Sequence, residues 1–238
     1  MNVNQTPTTL DRQLARLADE TTLAERFDIL KTLVEYWHGA IQAEDALTEN
    51  ELSEIAMPAA LKKWYLWAGK RKSIMSGQNH FFDPSRLHKH GNHLVFHLEN
   101  QGCFEWATAV EEEDPPVFGR EDELDPWQPQ NLRLSEHLIQ TCLFEAITCH
   151  AKYSATVAWL EETKVAFFRE HIPKIPISPW TWLEEIRFFA GQDRFMYTIQ
   201  NGEYEGIPGY NVWIASKKKE PLQFAKEMID ETWDYVSL

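Results

Sequence analysis

The chain has 238 residues, and 37 acidic against 23 basic side chains leave a formal charge of −14. Its 10 Trp, 13 Phe and 7 Tyr supply enough apolar area for a folded core, which excludes a disordered chain. So negative a surface repels phosphate backbones, which argues against direct nucleic-acid binding and leaves a basic partner, or solubility alone, as the reason for the charge.

The start of the chain is predicted to be helical and free of any membrane-targeting segment. Residues 1–20 lack the basic and apolar regions of a signal peptide, and the sequence has no apolar run of membrane-spanning length. We therefore expect a cytoplasmic protein without membrane contact. Residues 8–38 show helical spacing of apolar side chains, with a capping box formed by Thr22 and Glu25.

Two more helices and a β-hairpin are predicted next. A second capping box, Thr48 with Glu51, indicates a short helix, and residues 58–69 indicate another between a Pro and a Gly. After residue 92 the apolar positions alternate, which predicts strands over 93–99 and 103–110. The turn between them contains Gly102, which can adopt a positive φ.

The rest of the chain is predicted to contain a loop, three helices and three strands. Residues 111–125 indicate an acidic loop with room for a short strand at 117–118, and residues 134–147 indicate an amphipathic helix. Further elements are a helix over 157–171, strands over 186–190, 194–199 and 210–215, and a final helix from Pro221 to Trp233. The predicted fold class is α+β, an antiparallel sheet with helices packed against it, plus a C-terminal β-rich unit with a final helix.

The sequence carries none of the motifs that mark common catalytic or nucleotide-binding sites. The patterns GxxxxGK[ST], GxGxxG, GxSxG, HExxH and CxxC are all missing. Its three cysteines, Cys103, Cys142 and Cys149, do not form the even set of a disulfide framework. We predict that the protein is not an enzyme and has no catalytic residue, no cofactor and no bound metal.

One group of side chains keeps a metal site open as an alternative. His80, His88, His90, His93 and His97 lie within eighteen residues. In the predicted strand, His93 and His97 point to one face with Val95 between them, and imidazoles are good ligands for zinc or iron. A metal-dependent hydrolase built on this cluster is therefore the third hypothesis. The favoured interpretation is a solvent-facing, histidine-rich strand that is sensitive to pH.

The acidic segment 111–125 is the predicted partner-binding surface. Its carboxylates would attract a basic protein over a long range, and a neighbouring aromatic side chain would hold that protein in place. A solvated loop without a role is the alternative. The candidate contact residues are Glu111, Glu112, Glu113, Asp114, Phe118, Glu121, Asp122, Glu123 and Trp127.

Residues 50–150 contain a series of segments in a recognisable order. A Pro-led helix with aromatic positions ends at a Gly in MPAALKKWYLWAG, and FFDPSRL, the hairpin LVFHLENQGCFEWA and the helix RLSEHLIQTCLFEAI follow. In this order the segments resemble the SUKH superfamily. The matching positions are Pro58, Leu61, Trp64, Tyr65, Gly69, Leu87, Val95, Phe96, Glu99, Asn100, Gly102 and Trp106.

The resemblance implies a function in binding proteins. Members of the superfamily are largely bacterial immunity proteins that bind and neutralise toxins, many of them nucleases, and related eukaryotic members regulate cell-wall assembly through protein partners. Our leading hypothesis is a cytoplasmic immunity protein, and a regulatory or scaffold adaptor is the second. The expected organisation is a helical segment over 1–50, a SUKH-like module over 51–150 and an extension over 151–238.

Overall fold

The computed structural model describes residues 7–182, 184–204 and 207–238. These residues form helices and two antiparallel sheets, which confirms the predicted α+β class. The chain divides into two compact units. The first unit consists of residues 22–145, and the second unit consists of the described parts of 1–21 and 146–238. These boundaries lie after residues 21 and 145, whereas the sequence analysis placed them after residues 50 and 150.

The α-helices are numbered in chain order. They are α1 Thr9–Ala15, α2 Leu23–His38, α3 Glu49–Leu52, α4 Ala59–Ala68, α5 Lys72–Met75, α6 Leu134–Glu145 and α7 Glu162–His171. Shorter turns of 3₁₀-helix cover Arg16–Ala18, Ala43–Asp45, Pro84–Arg86 and Glu220–Glu227, and a π-helical turn covers Ala146–His150. No helix of the described residues combines the length and the apolar composition needed to cross a membrane.

The strands fall into two sheets of six. The first sheet contains β1 Asn79–Phe81, β2 His88–His90, β3 His93–Glu99, β4 Glu105–Thr108, β5 Pro116–Arg120 and β6 Gln128–Arg133. The second contains β7 Tyr153–Glu161, β8 Trp180–Trp182, β9 Glu184–Gly191, β10 Arg194–Tyr204, β11 Ile207–Ser216 and β12 Tyr235–Val236.

Local capping interactions begin the helices where the sequence predicts. The Thr22 side chain accepts the backbone N–H of Glu25 at 3.3 Å, and the Glu25 carboxylate accepts the backbone N–H of Thr22 at 2.9 Å. Thr48 and Glu51 repeat this arrangement at the start of α3. Each box satisfies two backbone donors that a helix N-terminus otherwise leaves without a partner.

In the first unit, one face of the sheet is covered by helix. Strand order is β1-β3-β4-β5-β6, with β2 also paired to β3. The hairpin of β3 and β4 confirms the predicted one, and Gly102 in its turn has a φ of 75°. On the covered face, Trp106 of β4 packs against His137 of α6, and both side chains are fully buried. The opposite face of the sheet carries Val95 and Ala107, which are buried beneath Phe82.

In the second unit, the sheet has the order β12-β7-β11-β10-β9-β8 and confirms the three predicted C-terminal strands. The predicted helix over 157–171 is wrong for its first five residues, which belong to β7. This segment pairs with β11, and strand pairing of β-branched residues such as Thr156 and Val157 outweighs their helical spacing. In place of the predicted final helix from Pro221 to Trp233, the structure has the shorter 3₁₀ segment Glu220–Glu227. Strand β12 follows at Tyr235–Val236.

Candidate functional site

Strand β5 divides the acidic segment into two separate groups. The sequence analysis predicted an acidic loop with room for a short strand at 117–118, and the structure has a longer strand there, Pro116–Arg120, the fourth along the first sheet. Five residues of strand span roughly 16 Å. Glu111, Glu112 and Glu113 therefore lie at one end of β5, and the carboxylates of residues 121–125 lie at the other.

The first group is attached to a helix of the same unit. The backbone N–H of Ala60, in the first turn of α4, donates to the carbonyl of Glu113 at 3.0 Å. The backbone N–H of Val110 donates to the Glu111 carboxylate at 3.2 Å. The side chains of Glu111, Glu112 and Glu113 are exposed, and the contact of this group with α4 is made by the backbone of Glu113.

Asp114 does not belong to an exposed acidic surface. Its side chain is 6% exposed and forms an ion pair with Arg26 of α2 at 2.8 Å. The same carboxylate accepts the backbone N–H of Ser135 at 2.9 Å and the Ser135 hydroxyl at 2.7 Å. Arg26 Nε also donates to the Ser135 oxygen at 2.7 Å. Asp114 therefore joins α2, the β4–β5 connection and α6, and its proposed contact with a partner is wrong because the carboxylate is buried and fully engaged.

The second group forms a hydrogen-bonded turn, which we call the acidic turn (residues 121–125). The backbone N–H of Asp125 donates to the carbonyl of Asp122 at 3.0 Å. The backbone N–H of Leu124 donates to the Asp122 carboxylate at 2.9 Å. Glu121, Asp122, Glu123 and Asp125 are all exposed, and the Leu124 side chain between them is 94% exposed. The turn thus presents one apolar side chain among four carboxylates.

Beside this turn, the face of the sheet opposite α6 carries the aromatic patch, which consists of His90, His93, Phe118 and Trp127. The His93 ring lies 4.5 Å from Phe118 and 5.6 Å from Trp127, measured between centroids. The Trp127 indole N–H donates to His90 Nδ1 at 3.3 Å. Partial burial, with a smaller effect of His90, lowers the pKa of His93. The His93 ring is therefore neutral at pH 7, and this part of the patch is uncharged.

Arg120 connects the acidic turn to the aromatic patch. Its guanidinium lies 4.3 Å from the Trp127 ring centroid and donates to the Glu123 carbonyl at 2.7 Å. Two further hydrogen bonds, of 3.0 and 2.8 Å, go to the Glu105 carboxylate. Because the Arg120 side chain is 2% exposed, its position is set by these partners, and it holds the turn against the sheet.

Replacing Arg120 by Met is expected to lower the free energy of unfolding by about 2 kcal/mol, because Glu105 would lose two charge-assisted hydrogen bonds. Glu105 is 16% exposed, so water can recover part of the loss. Urea denaturation of the full chain measures the change. The double variant Arg120→Met/Glu105→Leu should cost less than the sum of the two single variants. Additive losses would show that the pair is not coupled.

The histidine cluster is split between the two faces of the sheet. The register between β3 and β4 shifts between Val95 and His97, so one extra residue lies in β3. A bulge of this kind reverses the side-chain alternation that follows it. His93 consequently lies with Phe118 on the face opposite α6, while His97 is buried against α6. The prediction that both point to one face is wrong, since a bulge leaves no signal in the alternating pattern.

The metal hypothesis loses its geometric basis with this split. His80 Nδ1 lies 2.7 Å from the Ser76 hydroxyl, and His88 Nδ1 lies 3.1 Å from the Arg86 carbonyl. Throughout 7–182, 184–204 and 207–238, no group of three or more His, Cys, Asp or Glu side chains is placed to hold a metal ion. The His80–His97 cluster therefore does not assemble the ligand set that a hydrolase of the third hypothesis requires.

His97 instead forms a buried pair with His137 of α6. His97 Nδ1 and His137 Nε2 are 3.0 Å apart, and both side chains are fully buried. Phe81 and Trp106 stack on the two sides of His97, at 4.3 and 4.5 Å between centroids. Burial lowers the pKa of His137 to about 3. Burial, and secondarily His137 and His80, lowers the pKa of His97 well below its usual value.

The arrangement suits the binding of a protein surface. Of the predicted contact residues, the structure brings together Phe118, Glu121, Asp122, Glu123 and Trp127, and it places Glu111–Glu113 and Asp114 elsewhere. Sequence reasoning missed Leu124, Arg120, His90 and His93 as parts of the same surface. Two signals were present: Phe118 and Arg120 alternate onto one face of β5, and Leu124 is the one apolar residue within the run EDELD.

Comparison with known proteins finds no match whose surface could be compared with this one. No protein-family model matches the chain, and neither a curated protein nor a solved structure matches it. Function is therefore inferred from the surface formed by the acidic turn and the aromatic patch.

Proposed function

We propose that this chain is a non-catalytic binding protein that neutralises a basic toxin domain in the cytoplasm, and that the acidic turn and the aromatic patch are its contact surface. The observation that carries the proposal is the 94% exposed Leu124 in a hydrogen-bonded turn with four exposed carboxylates. An apolar side chain held in water in this way is available to fill a pocket on a partner.

Charge supports a basic protein as the partner. The chain has a formal charge of −14, and the carboxylates of the acidic turn project at one end of the first sheet. Opposite charges on a partner would raise the association rate, whereas the phosphates of a nucleic acid would be repelled. The resemblance of residues 50–150 to the SUKH superfamily, whose members neutralise toxins by binding them, points in the same direction.

The shape of the surface supports a protein as the ligand. A small molecule is usually enclosed in a concave cavity, whereas the acidic turn is a projection. Phe118 and Trp127 are half-buried beside it and offer aromatic area of the kind that is enriched at protein interfaces. A partner would thus meet Leu124 first and then cover the aromatic patch.

The first experiment is capture of partners from the native organism with the tagged full chain at low and moderate salt, followed by mass spectrometry. We expect one stoichiometric partner with a basic domain, bound less tightly at higher salt. Expression of that partner alone should arrest growth, and co-expression of the chain should restore it. A stoichiometric partner that is harmless when expressed alone would contradict the toxin and favour the regulatory adaptor.

Neutralising the acidic turn should weaken this binding by slowing association. The triple variant Glu121→Gln/Asp122→Asn/Glu123→Gln is expected to lower the association rate about tenfold or more at low salt, because long-range attraction is lost. Stopped-flow or surface-based kinetics with the captured partner measure the rate. The matched control Glu111→Gln/Glu112→Gln/Glu113→Gln removes the same charge at the other end of β5 and should change the rate much less. Equal effects of the two variants would rule out a specific role of the acidic turn.

Leu124 should act on dissociation. Leu124→Ser is expected to raise the dissociation rate about tenfold, the effect of losing about 1.4 kcal/mol at an interface anchor. Its folded stability should stay within about 0.5 kcal/mol of the unmodified chain, since the side chain packs against nothing. Unchanged dissociation would remove Leu124 from the contact surface.

A further inference from the structure

A groove between α2 and α4 complements the acidic turn. It has a volume of about 390 Å³, and its apolar floor is formed by Phe27, Leu66 and Trp67. Lys31 of α2 and Lys63 of α4 line it on opposite sides. The groove and the acidic turn both belong to the first unit, and Leu124, at 94% exposure, does not fill the groove of its own molecule.

The two lysines lie against the aromatic floor. Lys31 Nζ is 5.8 Å from the Trp67 ring centroid, and Lys63 Nζ is 5.8 Å from the Phe27 ring centroid. At this range a cation interacts favourably with the face of an aromatic ring. Each ammonium group therefore stays at the rim of the groove, where its charge faces an incoming ligand.

These ammonium groups keep their charge available. Among the described residues neither Lys31 nor Lys63 forms an ion pair, while the neighbouring Lys62 pairs with Glu49 at 2.6 Å. Asp28 also lines the groove and offsets part of the positive charge. Two cations against one anion leave a locally basic, apolar site on a chain whose formal charge is −14.

We propose that the chain associates with a second copy of itself, in which the acidic turn of one molecule enters the α2–α4 groove of the other. Leu124 lies on the floor formed by Phe27, Leu66 and Trp67. Glu121 and Glu123 face Lys31 and Lys63. The match is one of polarity and charge, because a Leu side chain flanked by carboxylates meets an apolar floor flanked by ammonium groups.

The contact is expected to be weak and salt-sensitive. One turn in one groove covers far less than the roughly 1,000 Å² of a stable interface, so a dissociation constant on the order of 10⁻⁴ M is expected. Because the ion pairs lie at the rim, added salt should weaken the association. The inference goes beyond the proposed function and needs no partner other than the chain itself.

The test is sedimentation equilibrium of the full chain over a concentration range up to about 1 mM, at low and high salt. The average mass should rise above the 27.8 kDa of one chain as concentration increases, and less so at high salt. Lys31→Glu/Lys63→Glu and, separately, Glu121→Lys/Glu123→Lys should each raise the dissociation constant at least tenfold. Asp28→Asn should lower it severalfold, because one repulsive charge is removed from the groove.

Mixing the two charge-reversed variants provides the decisive control. The unchanged turn of Lys31→Glu/Lys63→Glu then meets the unchanged groove of Glu121→Lys/Glu123→Lys. The mixture should therefore associate about as tightly as the unmodified chain, while each variant alone associates at least tenfold more weakly. Association that survives both reversals, a mixture that stays monomeric, or a chain that is monomeric at every concentration would overturn the inference. None of these results bears on the proposed toxin partner, which is tested separately.

Discussion

Replacing Asp114 by Ala is expected to lower the free energy of unfolding by about 3–5 kcal/mol, the usual cost of removing one partner from a buried ion pair. Arg26, at 7% exposure, would keep its charge in the interior without its carboxylate. Ser135 would lose the acceptor of both its backbone N–H and its hydroxyl. The loss is large because a single side chain serves donors from α2 and α6.

Urea denaturation of the full chain, followed by tryptophan fluorescence, measures this change, and hydrogen exchange assigns it to residues 22–145. Glu113→Ala is the matched control. It removes the adjacent carboxylate, whose side chain is exposed, and should shift the unfolding free energy by less than about 0.5 kcal/mol. Equal losses in the two variants would contradict the structural role of Asp114.

Lowering the pH from 7 to 5 is expected to destabilise the first unit through the buried pair of His97 and His137. In the unfolded chain a histidine has a pKa of about 6.5. In the folded chain burial lowers the pKa of His137 to about 3 and lowers the pKa of His97 as well. Between these values the unfolded chain binds more protons, so stability is lost as the pH falls below 6.5. His137 alone accounts for about 2 kcal/mol at pH 5, and His97 adds to it.

Urea midpoints measured in steps between pH 7.5 and 5 test this prediction, since most carboxyl groups titrate below that window. The double variant His97→Gln/His137→Gln should show a nearly flat profile over the window, whatever its stability at pH 7. His88→Gln, at an exposed position of the same unit, should keep the original slope. A slope that persists in the double variant would assign the pH dependence to other groups.

The helix starts were predictable because they depend on neighbouring residues alone. Thr22 with Glu25 and Thr48 with Glu51 form their capping boxes within three residues of sequence. The turn of the first hairpin was predictable for the same reason, since Gly102 is the residue that readily takes its positive φ. Interactions over so short a distance are encoded directly in the order of the residues.

The sequence-based predictions of secondary structure failed where pairing with a distant strand fixed the backbone. Residues 157–161 show helical spacing, yet they pair with β11, more than forty residues later. The short strand predicted at 117–118 is present, but it extends over Pro116–Arg120 as β5, pairs with β4 and β6, and separates the two ends of the segment 111–125, which the sequence analysis had treated as one surface. In both cases the hydrogen bonds that fix the backbone come from partners that a local pattern does not contain.

Some features of the candidate site were likewise predictable from the sequence, and others were fixed only by the tertiary structure. The sequence alone determined that the chain is acidic, that its carboxylates concentrate at 111–125, and that Phe118 and Trp127 accompany them. The tertiary structure decided that Asp114 is buried with Arg26 and that Leu124 is exposed. It also decided, through one bulge in β3, that His93 and His97 lie on opposite faces. Composition sets the charge and the apolar content of the chain. The burial of a residue, and the face of the sheet on which its side chain lies, depend on which strand or helix packs against it. That packing is a property of the whole fold.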